Sequence, residues 1–513
     1  MAAILYLLLA LPLLLLFLFQ KHKKSSTNAS LPPGPPGLPL VGNLFQLDSS
    51  APHRYLWKLS QTYGPVIFLR LGRAQVVVVS TAKMAEEVMK TQDLVFCTRP
   101  VATSTTRLSY NNVDLAFAPY DAYWREMRKI CVVHLFNSNR SQSFGPIREY
   151  EVSKMIEKVS GSSLEAKPVN LSEAMMSLTS TIICRVAFGK RYGEEGVERS
   201  RFQSLLNETQ AMFTSFCFSD LFPVLGFIDR LNGLVGRLDK NFRECDAFYQ
   251  EIIDEHLDPD RAKPEQEDIL DILLQLWKDR SFKVQLTFDN IKALLMVIGQ
   301  RFDFIKTTLF NIFIGGTDTG AATVVWAMTY LMKYPIAMRK VQEELRQKVK
   351  DKGFVKEEDI QQLPYFKAVI KEAMRLQPAV PLLVPRESIQ KCSLGGYEIP
   401  AKTIIHVNAW AIARDPESWG ENPDEFKPER FVGKSVDVKG SNFELIPFGA
   451  GRRICPGIHI GLATVEIALA NLLYAFDWEM PAEMKSEDLD MDVLPGLTMH
   501  KKNALCLVAI NRV

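Results

Sequence analysis

The stretch FGAGRRICPGIHIG, residues 448–461, decides how the rest of the chain is read. Cys455 stands there among four glycines, directly behind Arg452 and Arg453, and an apolar run, IHIGLATVEIALANLLYAF, opens just past Pro456. Glycines at this density let a backbone turn tightly or come close to something flat. The run reads as a helix, so Cys455 faces a helix N-terminus, where unpaired N–H groups and the helix dipole favour a thiolate. A thiolate serves as nucleophile, redox thiol or metal ligand, and the remainder of the sequence has to choose.

At 513 residues and 47% hydrophobic composition the chain can bury a large core. A net charge of +2, without a basic stripe carrying interleaved aromatics, gives no reason to expect nucleic acid as a partner. The eight cysteines are scattered, with no C-x-x-C, so neither a zinc finger nor an iron–sulfur cluster is indicated. Cys455 acts alone, and the others are expected to pack as small hydrophobes in a reducing compartment.

Residues 2–19 are apolar and are followed by Lys21, Lys23 and Lys24. As a helix these eighteen residues span about 27 Å, enough for the hydrocarbon layer. A cleaved signal peptide competes with a retained anchor. The missing basic n-region favours the anchor, and the lysines after it put the following chain in the cytosol. LPPGPPGLP, residues 31–39, reads as a stiff hinge. The expected organisation is an anchor over residues 1–24, a hinge over 25–40 and one catalytic domain over 41–513, without internal repeats. Residues 66–80 read as two short strands around a turn, with Ser80 placed to cap the helix TAKMAEEVMK; further strands are expected near residue 405 and in ALCLVAI near the end. The periodicity from residue 150 to about 350 is helical. The chain is therefore mostly α with minor β, and it has no strand–GxGxxG–helix unit of its own for a dinucleotide.

Further motifs accompany the cysteine. Glu372 and Arg375, in YFKAVIKEAMRLQP, lie one helical turn apart. Such spacing arises by chance in helical proteins; its weight comes from FKPERF, residues 426–431, whose Arg430 is placed to join the same network. In WREMRK, residues 124–129, Trp124 and Arg128 stand at i and i+4. They fit a solvated basic face, or a pair that binds an acidic cofactor group while Arg125 and Lys129 point outward to an acidic partner. FIGGTDTGAATVVWAMTYL, from Phe313, places Gly315, Gly316 and Gly320 beside Asp318 and Thr319 in an apolar helix. Each glycine costs about 1 kcal/mol relative to alanine, so something large is expected against that face. A carboxylate beside a hydroxyl in an apolar groove suits a proton relay; the alternative is a helix kink with a satisfied threonine.

Together these residues resemble the cytochrome P450 family of haem-thiolate monooxygenases. The family's F-x-x-G-x-R-x-C-x-G signature is met by Phe448, Gly451, Arg453, Cys455 and Gly457, and the other motifs occur in the family's order. The resemblance implies that Cys455 is the thiolate ligand of haem b iron, with Phe448 and Gly449 in the loop beneath the porphyrin. Arg453, Trp124 and Arg128, with Arg386 of LVPRES, would hold the haem propionates. Thr319 and Asp318 would deliver protons during oxygen activation, and Glu372, Arg375 and Arg430 would be structural. Electrons would come from NADPH through a separate flavin reductase, with cytochrome b5 as a further partner, at the endoplasmic reticulum membrane. Substrate contacts would come from residues 101–119, 213–227, Ile314, 379–384 and 494–499. Their composition implies a small apolar or aromatic plant metabolite, with amino-acid-derived aldoximes as the nearest branch.

Two departures stand out. Residues 297–310, VIGQRFDFIKTTLF, intervene where the family pattern is continuous, and Gly320 stands where Thr or Ser is usual. Fourteen residues turn a helix through 1400°, about 40° short of four turns, so the insertion either lengthens a helix by about 21 Å in near register or bulges out at Gly299. An unspliced intron is the plainer explanation. The rivals to a monooxygenase are a haem-thiolate isomerase or dehydratase that uses no dioxygen, against which Asp318 and Thr319 argue, and a haem-binding membrane protein without turnover.

Overall fold

The computed structural model describes residues 31–512 except 166, 192–196, 263, 265, 280–290, 351 and 483, with the backbone alone at 197–203 and 291–304. The expected membrane anchor lies outside the described residues. The principal helices are α1 (Pro52–Tyr63), α2 (Ala122–Ile130), α3 (Gly145–Leu164), α4 (Leu171–Phe188), α5 (Val197–Phe213), α6 (Leu234–Leu257), α7 (Ile269–Lys278), α8 (Ile291–Lys333), α9 (Pro335–Val349), α10 (Pro364–Leu376) and α11 (Ile458–Ala475). The strands are β1 (Val66–Leu71), β2 (Ala74–Val79), β3 (Val169–Asn170), β4 (Arg386–Glu387), β5 (Cys392–Leu394), β6 (Tyr397–Ile399), β7 (Ile404–Val407), β8 (Phe476–Glu479) and β9 (Cys506–Asn511). The mostly α reading with minor β holds.

The larger sheet has the order β1-β2-β7-β4. The β1–β2 hairpin is antiparallel with Val66 opposite Val79, whereas β2 and β7 run parallel with Val76 opposite Ile404. A second sheet, β3-β9-β8, ties the chain's end to α4. Ser80 does not cap the helix that follows β2. That helix starts at Ala82 with Thr81 as its N-cap residue, because the Ser80 amide still donates to the Pro65 carbonyl at 3.0 Å, just past the end of β2.

Helix α8 runs through the centre of the core, where Trp326, Val324, Ala327 and Leu331 are fully buried. Two of its glycines serve helix packing. A Cβ on Gly316 would collide with Ile183 of α4, and one on Gly320 would sit 3.4 Å from Thr179 Cγ2 and 4.0 Å from Val465 Cγ2 of α11. The unusual Gly320 therefore lies where α4, α8 and α11 meet.

The insertion, left open as loop or helix by the sequence, continues α8 as helix. At its C-terminal end Ile305, Leu309 and Phe310 are buried, and Lys306 Nζ meets Asp246 Oδ1 of α6 at 2.7 Å. A short repeat, missed in the sequence reading, accounts for this fit. FDNIKALLM at 288–296 recurs as FDFIKTTLF at 302–310, with Phe, Asp, Ile, Lys and Leu shared. Deleting residues 297–310 would carry Ile291, Lys292 and Leu295 into the places held by Ile305, Lys306 and Leu309. The shortened protein should fold, with a melting temperature within a few degrees of the parent; loss of cooperative melting would show that the second copy is irreplaceable.

Candidate haem-thiolate site

Residues 448–457 form a loop closed on itself. The Cys455 amide donates to the Phe448 carbonyl at 3.0 Å, while Gly449 and Gly451 adopt φ of 71° and 68°, conformations that favour glycine. Helix α11 begins at Ile458 with Gly457 as its N-cap residue, so the thiol precedes the helix as expected. The stabilisation expected for a thiolate at a helix start is opposed here by burial. Burial pushes the Cys455 thiol up, outweighing the Gly457 amide and the Arg128 guanidinium, which pull it down. Only a cation at the sulfur would reverse that balance, since a coordinating thiol is deprotonated outright. The residue keeps a part-exposed surface.

Helix α8 presents a matching surface. Gly315 is exposed between buried turns of a core helix, and a Cβ there would meet nothing within 4 Å. Of the three glycines expected to receive something large, this one alone faces open space. Thr319, one turn further on, is part-exposed, and its hydroxyl donates to the Gly315 carbonyl at 2.8 Å. Asp318, three residues after Gly315, is buried, with Oδ2 3.2 Å from His500 Nε2 and Oδ1 without a hydrogen-bond partner.

Around the cysteine loop the cations outnumber the acids. Arg99, Arg386 and Arg453 are buried and Arg128 partly so. The carboxylates acting on Arg99, Arg386 and Arg453 are Asp93 and Asp114. Burial, with Arg386 and Arg128 nearby, pulls Arg453 down to about 9, and burial lifts Asp114 to about 6. Arg386 Nη1 meets Asp93 Oδ1 at 2.8 Å, while Arg453 lies 3.9 Å over the Trp124 ring and donates to the carbonyls of Cys97 and Ala118 at 2.7 and 2.6 Å. Trp124 itself donates to the Leu115 carbonyl at 2.9 Å from a helix capped by Asp121, and Arg128 reaches the Ile454 carbonyl, next to the cysteine. A buried surplus of positive charge around a cysteine loop suits a flat, dianionic, iron-bearing group such as haem.

Arg125 and Lys129 are exposed, as expected. Glu372 and Arg375 are both fully buried and paired at 2.6 Å, with Arg430 Nε 3.4 Å from Glu372. Several stretches expected to contact substrate are brought together: Thr103 bonds Asp220, Phe117 stacks on Phe213 at 5.1 Å, and the Met499 amide donates to the Ala379 carbonyl at 2.8 Å. Phe310, from the insertion, joins the aromatic cluster 5.8 Å from Phe213. Val224 and Phe227, expected in the same group, are exposed on the outer surface. Sequence reasoning missed Arg99, Asp93 and His500; the RP dipeptide at 99–100 was the one available signal.

The cytochrome P450 family model matches residues 32–508. The chain is 47% identical to 6,7,8-trihydroxycoumarin synthase of Pastinaca sativa over 98% of this chain and 97% of that protein. It is 44% identical to cytochrome P450 83A1 of Arabidopsis thaliana over 96% of each. A zebrafish cytochrome P450 structure with progesterone superposes with a TM-score of 0.74 at 25% identity, covering 90% of this chain and 99% of that one. With signature, fold and relatives in agreement along its length, the chain belongs to the cytochrome P450 family of haem-thiolate monooxygenases.

Proposed function

We propose that this protein is an NADPH- and dioxygen-dependent monooxygenase of the endoplasmic reticulum membrane that hydroxylates a small planar aromatic plant metabolite. The observation that carries this reading is the meeting of α8 and α11 at Gly320 and Val465: Cys455 leads into one helix, and Asp318 and Thr319 sit on the other beside the crossing. Haem bound to Cys455 would supply oxygen-activating chemistry, which thiolate ligation favours. Arg453, Arg128, Trp124 and Arg386, joined by Arg99, would hold its propionates, and Phe448 and Gly449 would support it from the cysteine loop. Thr319 Oγ1, anchored on the Gly315 carbonyl, keeps lone pairs free to accept a hydrogen bond, and Asp318 would feed it by taking up a proton from pocket water and passing it on. Electrons arrive from a membrane-bound flavin reductase, with cytochrome b5 as an accessory donor, at the face carrying the exposed Arg125 and Lys129. The stacked Phe117 and Phe213 favour a flat ring, and several relatives are named for coumarin-type products. Coumarins therefore head the substrate panel, with aldoximes on the same panel as the narrower expectation.

Thr319→Ala tests the relay. Haem content and the ferrous–CO spectrum should stay as in the parent, while peroxide formed per NADPH rises several-fold at the expense of product. Unchanged coupling would remove the relay from the reading, and NADPH-driven turnover without oxygen uptake would favour an isomerase or dehydratase.

A further inference from the structure

Asp318 is only 4% exposed, yet its two oxygens stand in different situations. Oδ1 has no hydrogen-bond partner, and Oδ2 lies 3.2 Å from His500 Nε2. The two atoms stand at ion-pair distance, and a protonated Nε2 is the form that holds an ionised carboxylate there. A buried carboxylate with one free oxygen is costly and would rotate toward any available donor, so something must fix its orientation. His500 is itself fixed. Its carbonyl accepts from the Leu494 amide at 2.9 Å, and its own amide donates to the Thr498 carbonyl at 3.1 Å. One residue earlier, the Met499 amide donates to the Ala379 carbonyl and the Met499 carbonyl accepts from Trp326 Nε1 of α8, both at 2.8 Å. The imidazole thus reaches Asp318 from a strap bolted to α8 on one side and to the 379–384 segment on the other, while staying about a quarter exposed, at 28%.

We propose that His500 is the positioning residue of the Asp318–Thr319 pair: by holding Oδ2 it leaves Oδ1 as the oxygen that takes up a proton from pocket water and releases it toward Thr319, returning to the carboxylate. The inference rests on the reading of that pair as the proton-delivering one. Because residues 494–499 are also expected to line the substrate side, the strap makes the orientation of the carboxylate sensitive to what the pocket holds.

Three variants of the full-length, haem-loaded protein, Asp318→Asn, His500→Leu and His500→Gln, test this with reductase and a turned-over substrate. His500→Leu should raise peroxide per NADPH several-fold, approaching Asp318→Asn, and the solvent deuterium isotope effect on oxygen uptake should change with it. His500→Gln, which still offers an N–H at similar reach, should return coupling to within about twofold of the parent. A readout without turnover is the infrared band of the Asp318 carboxyl, identified by its loss in Asp318→Asn. It should shift in His500→Leu and return in His500→Gln. If Asp318→Asn leaks peroxide while His500→Leu stays coupled with the band unmoved, the positioning role is overturned and the relay stands. If Asp318→Asn itself stays coupled, the relay reading falls and takes the inference with it. Should His500→Leu fail to bind haem, His500→Asn, whose amide stops short of Oδ2, carries the same comparison.

Discussion

Cys455→Ala should yield a protein that folds but shows no red-shifted Soret band of a thiolate-ligated ferrous–CO complex, and turnover should fall to background. The neighbouring structure predicts this separation of folding from ligation. The Cys455 amide bond to Phe448 is made by the backbone and survives the change, and alanine fills most of the volume below the sulfur. The removed atom is the only sulfur in the loop, and the surrounding arginines cannot replace it as a ligand. A normal thiolate spectrum in this variant would refute the assignment of the ligand. Haem retained with a shorter-wavelength band would instead show that the buried cations hold the porphyrin without the iron bond.

Arg375→Ala should be the most destabilising single change in the chain. Arg375 and Glu372 have no exposed side-chain surface, and the guanidinium donates twice to Glu372, at 2.6 and 2.8 Å. It also donates to the carbonyls of Ala413, Pro423 and Glu425 at 2.6, 2.7 and 3.2 Å. Removing it leaves the buried Glu372 with only the Lys427 amide at 2.8 Å and Arg430 at 3.4 Å, and takes a donor from three carbonyls; breaking such a pair costs about 3–5 kcal/mol, a large share of the net stability of a domain. Arg375→Lys keeps the charge but lacks the planar fork of five donors, so it should recover only part of the loss. The checks are the melting temperature and the yield of haem-loaded protein. A shift of less than about 2 °C in Arg375→Ala would show the network to be dispensable.

These two predictions rest on residues that the sequence made visible, because their chemistry is tied to fixed spacing. Glu372 and Arg375 are three apart on one helix, so local geometry alone brings them together. Cys455 carries its own glycines and its own helix start. Arg99 and His500 are different. Arg99 bonds the Val384 and Pro385 carbonyls across nearly three hundred residues, and His500 meets Asp318 across almost two hundred. No periodicity encodes such meetings; they follow from tertiary packing. The thiol pKa shows the same limit, since a helix N-terminus can be read from spacing but the competing burial cannot. The repeat of residues 288–296 at 302–310 is legible in the sequence itself, since it needs only the recurrence of Phe, Asp, Ile, Lys and Leu at a fixed spacing.

The parallel pairing of β2 with β7 has a consequence for how the chain is made. Val76 to Val79 are synthesised early, and their partners Ile404 to Val407 follow more than three hundred residues later. At a ribosomal pace of roughly 5–20 residues per second, the wait is on the order of 15–60 s. During that time the β1–β2 hairpin offers an unpaired edge of four consecutive valines, the kind of surface on which nascent chains stick to one another. The enzyme's yield in a cell therefore depends on whatever shields that edge until residue 407 emerges, and slower translation should lower the soluble fraction rather than raise it.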